Sequence, residues 1–162
     1  MNYTAQQIAD ITNAQIVGDG DLRVKKIVFD SRNIYSTLET AFIAINTNKN
    51  SGDKYISSAI EKGVRIIITE HSPQVVNDVT YIITENAVDF LQKLARYHVH
   101  QFPNLKTIGI TGSNGKTIVK EWLFQSLNEE FKVVKSPKSF NSQIGLPISL
   151  LEINAKHELG IF

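Results

Sequence analysis

The sequence predicts an α/β fold in which two sheet-containing domains follow one another along 162 residues. Three observations favour this fold class. Short apolar or β-branched runs alternate with helical segments, as in proteins with parallel sheets. Pro103 interrupts a helical pattern directly before a new apolar run, which indicates a domain boundary. A glycine-rich loop then connects that apolar run to a further helix.

The predicted first domain, residues 1–102, begins with a short helix, because Thr4 and Gln7 form a capping-box pattern. Apolar and β-branched runs then predict strands at 23–29, 64–69 and 81–84, and a further apolar run at 41–45 precedes a polar loop. A short helix between 55 and 62 ends at Gly63. Asn86 can cap a longer helix whose apolar side chains share one face: Val88, Leu91, Leu94 and Ala95.

The predicted second domain, residues 103–162, has the element order of a parallel sheet. A strand at 107–111 leads into the glycine loop, and a helix with apolar residues at helical spacing follows it. We expect Trp122 of this helix to pack in the core or at a domain junction. A strand at 131–134, a helix at 146–153 and the start of a strand at 159–162 come next. Because this order stops inside an apolar run, we expect only the beginning of a larger sheet domain.

Composition and charge exclude several functional classes. The 17 Lys and Arg residues nearly balance the 16 Asp and Glu residues, so no basic field favours nucleic acid. The chain has no cysteine, which excludes disulfide frameworks, zinc–thiolate sites and cysteine nucleophiles. A signal-peptide pattern is lacking, and no apolar run approaches the ~20 residues of a membrane span. We therefore expect a cytoplasmic protein without nucleic-acid or membrane partners.

The segment TGSNGKT, Thr111–Thr117, predicts a phosphate-binding loop between a strand and a helix. Its glycines allow backbone amides to turn toward phosphate oxygens, and the helix N-terminus adds partial positive charge. Lys116 is expected to reach the β- and γ-phosphates, and the Thr117 hydroxyl to bind Mg²⁺. Ile110 occupies the first glycine position of the usual G-x-x-x-x-G-K-[ST] pattern, so the loop is a shortened variant. The alternative is a glycine-rich turn with an exposed lysine.

The short loop resembles the ATP site of the Mur ligases, the ATP-dependent amide ligases that build the peptidoglycan precursor. SFNSQIGLP at Ser139–Pro147 is similar to the FNN-x-x-GLP segment of the family branch that adds D-alanyl-D-alanine, including the variant fused to alanine racemase. FDSR at Phe29–Arg32 resembles the DSR motif of the uridine-binding domain, and SGDKY at Ser51–Tyr55 takes the place of its DGH-x-F segment. These motifs occur in the family's order along the chain.

The resemblance implies a small N-terminal uridine-binding domain followed by the start of a P-loop ATPase domain. It implies catalytic roles for Lys116 and Thr117, with Mg²⁺ on the Thr117 hydroxyl. ATP contacts are carried over onto the loop and the residue after it: Gly112, Ser113, Asn114, Gly115, Lys116, Thr117 and Ile118. Ile118 departs from the second Thr or Ser usual in the family. Contacts with the UDP-linked substrate are carried over onto three short segments: Asp30, Ser31, Arg32, Asn46, Thr47, Asn141 and Ser142.

The activity implied is the ATP-dependent addition of D-alanyl-D-alanine to UDP-N-acetylmuramoyl-tripeptide through an acyl phosphate. The resemblance also implies a magnesium-binding carboxylate at the end of an apolar strand, which would fall just beyond Phe162. Glu158 instead precedes the last apolar run, so we interpret it as a solvated residue at a strand start. The chain alone is therefore predicted to be inactive. Alternatives are a diaminopimelate- or lysine-adding ligase, folylpolyglutamate synthetase or, for this chain by itself, a UDP-sugar-binding module.

Simpler explanations of the individual residues also stay open. Asp30 and Arg32 can form only a turn with an exposed ion pair. Asn141 and Ser142 can cap the helix that begins near Pro147. His98 and His100 are two residues apart on a predicted helix and point to different sides, so we expect no shared metal site.

Overall fold

The computed structural model describes residues 1–47, 51–137, 140 and 142–162. It confirms the α/β class and divides into two compact units, Met1–Leu94 and Ala95–Phe162. This division falls inside a helix, and the assignment of domains to 1–102 and 103–162 stays a prediction. None of the helices in the described ranges has the length and apolar character needed to cross a bilayer.

The first unit is built on a five-stranded sheet and a separate two-stranded ribbon. The strands are β1 (Tyr3–Thr4), β2 (Gln15–Val17), β3 (Arg23–Val24), β4 (Lys26–Val28), β5 (Thr40–Ile43), β6 (Ile66–Thr69) and β7 (Thr80–Ile83). The sheet order is β2-β7-β6-β5-β4, parallel from β7 to β4, with β2 antiparallel at one edge. β1 and β3 form the antiparallel ribbon. Every residue of β5 and β6 is buried, which places the core around them.

The predicted strand at 23–29 is two strands that pair with different partners. The amides of Lys25 and Lys26 both donate to the Glu39 carbonyl, at 2.7 and 3.2 Å, where the chain passes from β3 to β4. β2 was not predicted, because Gln15 and Val17 are exposed and only Ile16 is half-buried. An edge strand of this kind lacks the apolar alternation that sequence reasoning depends on.

Capping residues position the helices of this unit, which are α1 (Ala5–Thr12), α2 (Ile56–Glu61) and the first part of α3 (Ala87–His100). The predicted capping box is confirmed: Thr4 Oγ1 accepts from the Gln7 amide, and Gln7 Oε1 accepts from the Thr4 amide. Asn86 Oδ1 accepts from the amides of Val88 and Asp89 at 3.0 and 2.9 Å, which confirms the predicted start of α3.

Gly52 lies against the backbone just after β5. A Cβ built on Gly52 would overlap the Ile45 amide nitrogen and lie 2.7 Å from its carbonyl oxygen. Because backbone atoms cannot rotate away, we expect Gly52→Ala to lower the free energy of unfolding by about 1–3 kcal/mol, measured in urea. Gly20→Ala is the control, since its Cβ would meet the flexible Gln6 side chain at 3.1 Å. Equal losses in the two variants would contradict the prediction.

The second unit contains a parallel sheet in the order β8-β10-β9, made of β8 (Lys106–Ile108), β9 (Val133–Lys135) and β10 (Leu159–Ile161). Its helices are α4 (Lys116–Leu127) and α5 (Gly145–Leu150). The predicted elements are confirmed with shorter bounds. Trp122 is 66% exposed, so the core position is wrong, while a position at a domain junction stays a prediction. Apolar spacing indicated the helix, but spacing alone does not show what covers a helix face.

His98 is buried in the second unit, and His100 is not. His98 Nε2 donates to the Ile153 carbonyl at 2.8 Å, and its ring meets Phe102 edge-on at a centroid distance of 5.1 Å. His100 Nδ1 donates instead to the Arg96 carbonyl one turn back. The two rings therefore do not share a site, as predicted. Burial lowers the pKa of His98 below its usual 6.5.

The lowered pKa of His98 predicts a pH-dependent stability. The unfolded chain takes up this proton first, so stability falls as the pH drops below about 6.5 and the loss levels off below the folded-state pKa. We expect His98→Gln to weaken this dependence, because glutamine can donate to Ile153 without titrating. Urea midpoints at about pH 5 and about pH 7.5 measure the difference. Burial also lowers the pKa of His157, but this histidine is present in both proteins and so does not cause a difference between them. An unchanged pH dependence in the variant would contradict this assignment.

Candidate functional site

A cavity of about 430 Å³ lies at the carboxyl edge of the sheet in the second unit. The three strands are parallel, so the segments that follow β8, β9 and β10 all emerge at this edge. In open α/β sheets this edge is where ligands bind. Both ends of the glycine loop, α4 and the segment after β9 contribute to the cavity wall, including Thr111, Lys116, Thr117, Lys120, Ser136 and Phe140.

The loop backbone has the open form that a phosphate site needs. Gly112 has φ +141° and Gly115 has φ +78°, which L side chains rarely adopt. Among the described residues, a Cβ on Gly115 would meet nothing within 4 Å, and one on Gly112 would meet only the Asn114 carbonyl, at 3.8 Å. Backbone conformation therefore accounts for both glycines, and the space around the loop is open. In the part of the chain that the structure describes, no side chain caps the start of α4, which favours an anion at its amides.

Lys116 and Thr117 occupy the first turn of α4 beside the loop. Lys116 Nζ folds back and donates to the Gly112 carbonyl, which places the ammonium group over the loop. Thr117 is exposed and lines the cavity. Its hydroxyl is a hard oxygen donor of the kind Mg²⁺ accepts beside phosphate oxygens. Within the described ranges no group of three or more His, Asp or Glu side chains adds to that donor set.

Two further residues of the cavity were missed by sequence reasoning. Lys120 is buried and its Nζ donates to the Ser136 carbonyl at 2.7 Å and the Ser136 hydroxyl at 3.2 Å. Burial lowers the pKa of Lys120 below that of an ordinary lysine. The only signal in the sequence was its spacing, four residues after Lys116 on one helix face.

Glu158 lies at the edge of this sheet opposite to the glycine loop. It directly precedes β10, and its Oε2 accepts from the Lys132 amide at 2.9 Å. The residue is exposed. This placement agrees with its interpretation as a solvated residue at a strand start.

In the first unit, Asp30, Ser31 and Arg32 form a turn after β4. Asp30 carboxylate oxygens accept from Arg32 Nε and Nη2 at 3.0 and 2.8 Å, and the hydrogen bonds from Arg32 hold the pKa of Asp30 below its usual value. Lys62 Nζ donates to the Ser31 carbonyl at 2.7 Å. The turn and ion pair of the simpler alternative are therefore present, while the Arg32 side chain is 87% exposed. Its contact with a UDP-linked substrate stays a prediction.

Asn46 follows β5 and joins a polar network that sequence reasoning missed. Its Nδ2 donates to Asp53 Oδ2 and Glu70 Oε2, both at 3.1 Å, and its Oδ1 accepts from Ser51 Oγ and the Gly52 amide. These four bonds use the full capacity of one amide side chain. His71 Nδ1 also lies 2.7 Å from Asp53 Oδ2.

The remaining predicted substrate residues are placed differently. Thr47 follows Asn46 on the edge of the first sheet where the Asp30–Arg32 turn also lies, because β4 and β5 are parallel neighbours. Ser142 Oγ accepts from the Gly145 amide at the first residue of α5, but Ser142 is not the N-cap residue, which is Ile144. Asn141 lies outside the described residues.

Comparison with known proteins gives a consistent family assignment. Residues 110–162 match the Mur ligase middle domain. A UDP-N-acetylmuramoyl-tripeptide–D-alanyl-D-alanine ligase from Treponema pallidum is 36% identical over 84% of this chain and 31% of its own length. A crystal structure of MurF from Acinetobacter baumannii has a TM-score of 0.89 at 25% identity, covering 100% of this chain and 35% of that one. MurF from Thermotoga maritima, solved with ADP, has a TM-score of 0.69 at 30% identity, over 84% and 31% of the two chains.

The chain spans about a third of the length of these relatives. The domain match begins at Ile110 and so contains the glycine loop, α4 and the residues of the cavity wall after β9. The structural likeness to MurF from Acinetobacter baumannii extends over both units. The resemblance seen in TGSNGKT and SFNSQIGLP is confirmed, and residues 110–162 belong to the family of Mur ligase middle domains.

Proposed function

We propose that this chain is part of an ATP-dependent amide ligase that adds D-alanyl-D-alanine to UDP-N-acetylmuramoyl-tripeptide. The observation that carries the proposal is the glycine loop, with Gly112 and Gly115 at positive φ, opening onto a cavity beside the uncapped start of α4. The substrates are proposed from the names of the relatives. A cytoplasmic location is proposed with them, because the reaction consumes ATP.

In the second unit, the loop amides and Lys116 would bind the phosphates of ATP. The γ-phosphoryl group moves to an oxygen of the peptide carboxylate, which leaves ADP and an acyl phosphate. The amine of D-alanyl-D-alanine then attacks the acyl carbon, so that inorganic phosphate departs and the amine loses a proton. Bound Mg²⁺ would neutralise charge on the phosphate oxygens, with the Thr117 hydroxyl as one ligand. The Lys116 ammonium supplies positive charge for the first transfer.

In the first unit, Ser31 and Arg32 are proposed to bind the UDP part of the substrate, with Asp30 orienting the guanidinium. A planar guanidinium suits the oxygens of a pyrophosphate, and Arg32 is exposed at the sheet edge where ligands bind. Asn46 and Thr47 are also proposed to contact the UDP-linked substrate. Ser142 and Asn141 are proposed to face the substrate beside the ATP site.

The test is a ligation assay on the full-length protein. We expect the pentapeptide product, ADP and phosphate to form only when UDP-N-acetylmuramoyl-tripeptide, D-alanyl-D-alanine, ATP and Mg²⁺ are all present. Addition of diaminopimelate or lysine to the UDP-linked dipeptide would instead support a different member of the family. Glutamate addition to a folate would support folylpolyglutamate synthetase. Ligation by the 162-residue chain alone would contradict its predicted inactivity.

A further inference from the structure

Lys120 is a buried cation on the wall of the proposed ATP cavity. It is only 5% exposed and follows Lys116 by one helical turn, on the same face of α4. Two of its acceptors, a carbonyl and a hydroxyl, belong to Ser136, the residue directly after β9. Lys120 therefore joins the helix that begins at the phosphate loop to the far wall of the same cavity.

Ser136 is the point where that wall is attached to the sheet. Its amide donates to the Ile161 carbonyl of β10 at 3.1 Å, while its carbonyl and hydroxyl accept from Lys120. Phe140, further along the chain, also lines the cavity and lies against Gly145, where an added Cβ would be 2.8 Å from the Phe140 Cα. Contacts of the described wall residues thus attach the wall to β10, to α4 and to α5.

A second contact joins the same two elements on the surface. Glu121 and Lys135 form an ion pair between α4 and β9, next to the Lys120–Ser136 contact. This pair is partly solvated and neither residue lines the cavity. Burying an ammonium group is costly in comparison, as the lowered pKa of Lys120 reflects. Simple fastening of the helix to the strand therefore does not account for a lysine at position 120.

We propose that Lys120 is a positioning residue, which through Ser136 holds the cavity wall at a fixed distance from the phosphate loop during phosphoryl transfer. This inference rests on the proposed ATP-dependent ligation. Hydrogen bonds shielded from water restrict motion more than solvated ones, so the wall keeps one geometry. Loss of this contact leaves the loop and Lys116 able to bind ATP but misplaces the groups that react.

The test compares variants of the full-length protein in three measurements. Lys120→Met keeps an unbranched side chain one atom shorter than lysine and cannot donate. Lys120→Arg retains a donor, and Ser136→Ala removes one acceptor. Glu121→Gln is the control, because it removes the charge of the neighbouring surface pair. In Lys120→Met we expect kcat for ligation to fall about 10- to 100-fold while the ATP Kd from calorimetry stays within about threefold. Hydrogen exchange around Ser136 in the ligand-free protein should rise.

Lys120→Arg is expected to recover part of kcat, Ser136→Ala to lose kcat in the same direction, and Glu121→Gln to behave like wild type. Unchanged kcat or unchanged exchange in Lys120→Met would overturn the proposal. A clearly raised ATP Kd in Lys120→Met would also overturn it, because that result would indicate a direct phosphate contact of the kind proposed for Lys116. If Lys120→Met does not fold, an unchanged kcat in Ser136→Ala overturns it. If the wild-type protein makes no product, the proposed function is contradicted. If wild type and Lys120→Met are equally active, the proposed function stands and only the role of Lys120 is contradicted.

Discussion

Lys116→Ala is expected to weaken ATP binding and to lower kcat/KM for ATP about 100-fold, because a charge-assisted donor of this kind contributes on the order of 3 kcal/mol. The ammonium group lies over the loop, on the Gly112 carbonyl, where an incoming phosphate would replace that acceptor. Alanine is a good helix former, so α4 should still begin at this position. Calorimetric titration with ATP and initial rates on the full-length ligase measure the two effects.

The control for this prediction is Lys132→Ala, an exposed lysine of the same unit outside the cavity. We expect its ATP Kd and kcat/KM to match wild type. If Lys116→Ala also matched wild type, the segment would be a glycine-rich turn with an exposed lysine, and the proposed ATP site would be lost. A reduced melting temperature in Lys116→Ala with normal ATP affinity would lead to the same conclusion.

The phosphate loop and the helix starts could be predicted because their signals are local. Thr4, Gln7 and Asn86 act on amides within three residues of themselves, so the chain sequence contains both partners of each contact. The order of strand, loop and helix around Thr111–Thr117 is likewise contained in one short segment. Local chemistry of this kind survives in any fold that preserves the segment.

The contacts that shape the cavity could not be predicted, since they join distant parts of the chain. Lys120 meets Ser136 because α4 packs beside β9, whereas the sequence shows only that Lys120 follows Lys116 by four residues. The contacts of Asn46 could not be predicted for the same reason, because Asn46 follows β5 and its partner Glu70 follows β6. The exposed position of Trp122 also depends on what covers α4, which no spacing rule describes.

Arg32→Ala is expected to raise KM for the UDP-linked tripeptide about 30-fold, since a hydrogen bond to a charged group contributes about 1.5–3 kcal/mol. Asp30 holds Nε and Nη2 of the guanidinium, so the side chain is oriented before substrate arrives. Ordering of the side chain in advance lowers the entropic cost of binding. The measurement is a titration of rate against the UDP-linked substrate, with the ATP Kd as a second readout that should not change.

The alternative that Arg32 serves only the turn makes a different prediction for the same variant. An exposed ion pair contributes little to stability, so a turn-only role leaves KM unchanged and alters unfolding by less than about 1 kcal/mol. Arg23→Ala is the matched control, because Arg23 is an exposed arginine of the first unit whose Nη1 donates to Asn2 at 3.3 Å. Asp30→Asn should raise KM less than Arg32→Ala, since it loosens the guanidinium without removing it. An unchanged KM in Arg32→Ala would exclude the proposed pyrophosphate contact. Of the two residues proposed to bind the UDP part, only Ser31 would then remain.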